Sequence, residues 1–110
     1  MSVTAAESAP ESVKHESDLA FVAFALSDCT VMTDAQAAKY LRAVHRTALE
    51  LAVSNYFGAS VGGFWLTKEH IARLRALPEH YPANEAPAAA RAVNAYLQAQ
   101  LQEFYAASCL

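Results

Sequence analysis

Glycine is nearly missing from this chain. Its three copies, Gly58, Gly62 and Gly63, all fall in one connection at residues 55–66. Elsewhere no residue enters the left-handed backbone region at low cost, so unusual turns are confined to that stretch. Cysteine is scarce too. Cys29 and Cys109 are too few for a disulfide framework. Long apolar runs are absent: the longest, Leu19 to Leu26, has eight residues, against the ~20 needed to cross a bilayer. Acidic residues (Glu7, Glu11, Glu16, Asp18) precede that run where a secretory signal would carry positive charge. These absences point to a cytoplasmic protein with reduced thiols and no membrane partner.

What is abundant is alanine. Twenty-five alanines sit inside a hydrophobic fraction of 55%, so the truly bulky apolar residues are far fewer than that figure suggests. Alanine-rich helices approach closely but bury little each, at about 25 cal/mol per Å². A thin core of this kind suits self-association or a bound partner.

Periodicity is helical almost throughout, and alternating runs are at most a few residues long. Residues 1–7 carry no pattern and are expected to be a disordered tail ahead of a single helical domain at 8–110. Ser8 and Glu11 form a capping box with Pro10 in the first turn, opening a helix to about Ser27. Its second half is apolar all round, which predicts burial on several sides. Thr33 and Gln36 form a second box and open the longest helix, to about Phe57, with Gly58 as its stop. Leu41, Val44, Ala48 and Leu51 share one face, widened by Leu49, Val53 and Phe57. Lys39, Arg42, Arg46 and Glu50 form the wet stripe opposite.

Thr67 caps a short third helix, with Leu66 and Ile71 placed as a hydrophobic staple, and Pro78 stops it. Asn84 is the expected cap of a fourth helix with Pro87 in its first turn. Val93, Leu97, Leu101 and Phe104 are its inner face, with Arg91, Asn94, Gln98 and Gln102 opposite. The expected fold is therefore all-α: a four-helix antiparallel bundle-like domain with a short third helix. That topology places Cys29 and Cys109 at opposite ends, beyond the ~7 Å Cα separation a disulfide tolerates. It also predicts a gap. A second helix of about 36 Å cannot be covered by a third of about 15 Å, so the connection at 55–66, the Tyr81 loop, a second copy of the chain or another protein must cover the rest.

Chemical motifs are weak. Gly58-Ala59-Ser60-Val61-Gly62 matches the G-x-S-x-G elbow of serine hydrolases, but that elbow needs a strand before it, and here a helix precedes. The histidines at 15, 45, 70 and 80 are scattered. Glu11 and His15 are the one i,i+4 carboxylate–histidine pair, and no second pair completes a metal site. Cys109 has no CxxC partner to activate it. No enzyme activity, cofactor or metal is expected.

Charge is uneven although the total is only −3. Residues 1–38 are acidic and residues 39–75 basic, which fits complementary helix packing. The same segregation would suit a nucleic-acid-binding or ligand-binding regulator using the basic row of the second helix. Long connections and interspersed acids argue against a helix-turn-helix, making nucleic acid the lesser alternative. The aromatic connection remains. Tyr56, Phe57, Phe64 and Trp65 are the expected partner anchors, with Arg42 and Arg46 steering encounter at the rim. The competing expectation is that the rings plug the end of the bundle. The function expected is non-enzymatic contact with another protein or a second copy, as adaptor, accessory subunit, or immunity or neutralising protein.

Overall fold

A computed structural model of the chain describes residues 18–54 and 65–108. Among these there are helices and turns and no strand. α1 covers 18–25, a 3-10 turn Cys29–Val31, α2 Asp34–Ser54, α3 Lys68–Arg75 and α4 Ala86–Ser108. α2 is the hub, packed against both α3 and α4, while the 3-10 turn docks on α4.

Each start has a local cause. Asp28 Oδ1 accepts from the Thr30 amide (3.1 Å) and hydroxyl (2.6 Å), which opens the 3-10 turn. At α2, the Thr33 amide donates to Gln36 Oε1 (2.9 Å) and the Gln36 amide to Thr33 Oγ1 (3.1 Å), the reciprocal box the spacing predicts. α3 repeats the device with an unforeseen partner: His70 Nδ1 takes the place of a glutamate, accepting from the Thr67 amide at 3.0 Å. Leu66 and Ile71, in the staple positions, are both fully buried. α4 starts differently from expectation. Instead of an Asn84 cap, the Pro82 carbonyl accepts from the Glu85 and Ala86 amides, so a backbone turn leads into the helix. The cap of the first helix, Ser8 with Glu11, lies outside the described residues.

The core is one cluster. Leu41, Val44, Ala48 and Leu51 of α2 meet Ile71 and Leu74 of α3 and Val93, Leu97 and Leu101 of α4, with Phe21 of α1. Ala25, Ala37, Ala48, Ala86 and Ala90 are wholly inaccessible. Alanine here lets helices come close, since no γ-carbon holds them apart.

Three expectations need correction. Leu49 and Val53 do not widen the inner face of α2: they are 37% and 85% exposed. The apolar run at 19–26 is not buried all round either, because Leu19 and Leu26 face out. Asn94 is not on the wet side of α4 but 8% exposed. The predicted length mismatch is real, 8 residues in α3 against 21 in α2 and 23 in α4. Yet the inner face of α2 is closed as far as Leu51, and Trp65 and Leu66 from the end of the connection contribute to the same core.

Candidate partner surface

On α2, positions 42, 46, 49 and 53 advance by four, three and four residues. At 100° per residue they stay within a stripe about 60° wide, with Lys39 at its edge. Every one of these side chains is exposed. The stripe lies on the side of α2 away from Leu41, Val44 and Leu51. It is basic at its N-terminal part (Lys39, Arg42, Arg46) and apolar at its C-terminal part (Leu49, Val53). No hydrogen bond or ion pair ties down Arg42 or Arg46 among the described residues.

The sequence-derived anchors fare unequally. Tyr56, Phe57 and Phe64 lie outside the described residues, as do Ser60, His15 and Cys109. Trp65 is 7% exposed and belongs to the core, with its indole Nε1 buried and unpartnered among the described groups. Its ring is buried rather than presented on the surface. Arg42 and Arg46 are on the surface, as a steering role requires.

A second polar centre closes the end of α1. Asn94 Nδ2 donates to the carbonyls of Phe24 (2.6 Å) and Ala25 (3.2 Å), and the Tyr40 hydroxyl donates to Phe24 (3.3 Å). These are carbonyls of the last turn of α1, where intrahelical partners run out; Phe24 also accepts from the Ser27 amide at 3.2 Å. The Phe24 ring meets Tyr40 edge-on at 5.4 Å. Burial pushes the Tyr40 phenol far above its ordinary range. Cys29 beside it is also raised, by burial first and then by the Asp28 carboxylate, which disfavours the reactive thiolate. A cavity of about 460 Å³ opens between this turn and Arg91, Asn94 and Gln98. The groups are structural: the donors are already spent on the helix end.

The third centre lies between α3 and α4. The Arg73 guanidinium stands 5.8 Å from the Tyr96 ring centroid, and His70 meets the same ring edge-on at 5.8 Å. Burial lowers the His70 pKa from its ordinary 6.5, leaving a neutral imidazole. Since Nδ1 accepts from Thr67, the proton of that neutral ring sits on Nε2. The Tyr96 hydroxyl is buried without a well-formed hydrogen bond, and burial outweighs the nearby Arg73 charge in raising its pKa. Nothing in the sequence reading singled out this trio. The signal was Tyr96 at position 3 after Val93, on the flank of the apolar stripe.

Among the described residues no three His, Cys, Asp or Glu side chains are grouped to hold a metal. His45 is buried with Nδ1 unpartnered, and His80 is exposed, 3.8 Å from Glu79. No helix among them is long and apolar enough to cross a membrane. Compared with known proteins, the chain matches no family, no curated protein and no solved structure.

Proposed function

We propose that this is a non-enzymatic cytoplasmic interaction protein that binds another protein through the outer stripe of α2. One observation carries the reading: Leu49 and Val53 are exposed in line with Arg42 and Arg46, apolar surface continuing a basic row. Apolar contact with Leu49 and Val53 would supply affinity, and the arginines would steer an acidic partner toward it. Adaptor, accessory-subunit and neutralising roles share this physics. Self-association through the same stripe would juxtapose like charges unless the copies run antiparallel, so a different, acidic chain suits it better.

The test compares wild type with the double variant L49S/V53S as bait in the native source. Both positions are exposed, so helix content should not change. A protein retained by wild type and lost from the variant supports the proposal; identical captured sets overturn it. Light scattering over a concentration series tests the dimer. The nucleic-acid alternative has in its favour the three exposed cations Lys39, Arg42 and Arg46. However, of the α3 cations Lys68, Arg73 and Arg75, Arg73 is engaged with Tyr96 of α4, so these are not freely added to the row on α2. Salt-sensitive retention on a polyanion matrix, lost in R42Q/R46Q, would favour that alternative.

A further inference from the structure

The face between α3 and α4 holds two opposite charges that do not pair with each other. Glu69 and Arg73 are four residues apart on α3, the spacing at which a glutamate and an arginine ordinarily pair. They are not within ion-pair distance; Arg73 leans over Tyr96 instead. Both charges border one depression of about 380 Å³, together with His70, Tyr96 and Gln100. That volume sits at the small end of the ~300–1,000 Å³ usual for ligand sites. Directly beside it is a smaller, almost wholly apolar slot of about 180 Å³ between Leu74, Leu77, Ala92 and Val93. Arg73 and Tyr96 line both, so a polar depression and an apolar slot adjoin at these two side chains.

The chemistry of the recess selects among small molecules. A plain anion would meet Arg73 but also the Glu69 carboxylate, with Glu103 close enough to His70 to act on its charge. A plain cation would face Arg73. A molecule carrying both charges a few bonds apart, with an apolar tail, satisfies every group. From this juxtaposition we propose that the α3–α4 recess binds a free α-amino acid with a branched aliphatic side chain. Its carboxylate lies on Arg73, its ammonium on Glu69 and its side chain in the Leu74–Leu77–Val93 slot. His70 and Tyr96 line the same depression and bring two further donors, the His70 Nε2–H and the Tyr96 hydroxyl. Exposed ion pairs alone contribute little, so binding depends on the tail as much as on the charges.

The probe is L-leucine, followed by two-dimensional amide NMR on the full chain. Saturable shifts centred on residues 69–77 and 92–100 are expected by about 20 mM, a millimolar-class affinity. N-acetylleucine lacks the ammonium and leucinamide the carboxylate; each should bind about tenfold or more weakly, one lost charge contact. Glycine, without a tail, should leave the spectrum unchanged. R73Q should abolish leucine shifts while the folded spectrum persists, and E69Q should remove the preference for leucine over N-acetylleucine. No saturable shift with leucine overturns the proposal. So do equal affinities for leucine and N-acetylleucine, or shifts at residues remote from the recess.

Discussion

The junction of α1, α2 and α4 and the face between α3 and α4 use the same residue types in opposite ways. At the junction, Tyr40 and Asn94 spend their donors on the carbonyls of Phe24 and Ala25. On the other face, the buried Tyr96 hydroxyl makes no well-formed hydrogen bond, with only the Arg73 guanidinium nearby, and Arg73 has no ion-pair partner among the described residues. A buried polar group that is satisfied specifies the fold. One that is idle costs stability unless something outside the fold uses it. The contrast separates side chains that hold this molecule together from those available to bind.

Substitution at each region should break that contrast if it is mistaken. The largest effect is expected for Asn94→Leu, which removes donors from two helix-end carbonyls and should cost about 2 kcal/mol in urea unfolding. Tyr40→Phe deletes one bond to the same carbonyl and should cost about 1 kcal/mol. Tyr96→Phe, the identical chemical change on the other face, should be neutral or stabilising by up to about 1 kcal/mol, because the lost hydroxyl made no well-formed hydrogen bond. If Tyr96→Phe destabilises as much as Tyr40→Phe, the two faces do not differ in kind.

A pH series sharpens the comparison further. His70 has a folded pKa below its ordinary 6.5, mainly through burial. The unfolded chain therefore binds the proton more readily, and stability rises with pH across the window just below 6.5 and levels off above it. His70→Gln keeps a side chain able to complete the capping box. It should flatten that part of the stability–pH curve while preserving stability at pH 7. Smallest in energy is Val53→Ser, expected to change unfolding stability by about 0.5 kcal/mol or less while weakening capture of a partner.

Legibility in the sequence followed the range of the forces involved. Thr33 with Gln36, Thr67 with its helix, and the Leu41–Val44–Ala48–Leu51 face are local patterns, and the structure reproduces them. Asn94 was misplaced because only bulky residues defined the inner face of α4. With Ala86 and Ala90 included, Asn94 stands about 20° from Leu101 on the helical wheel, at the edge of the buried arc. Its partner lies 70 residues away, a distance no local pattern spans. Leu49 and Val53 read as core because hydrophobicity was taken to mean burial, although apolar atoms make up much of any protein surface. The α3–α4 recess was invisible for a related reason: Glu69, Arg73 and Tyr96 converge only after two helices have packed. Trp65 could be read either way from composition, and its 7% exposure places it inside.

The bond from Asn94 to Phe24 also sets an order of events during synthesis. When α1 leaves the ribosome, the residue that will close its end has not yet been translated. Until Asn94 emerges, the Phe24 carbonyl has only the Ser27 amide and the Tyr40 hydroxyl, and the Ala25 carbonyl lacks its side-chain donor, so the earliest helix is among the last to be completed. Truncation before residue 94 should therefore loosen the end of α1, far in sequence from the cut.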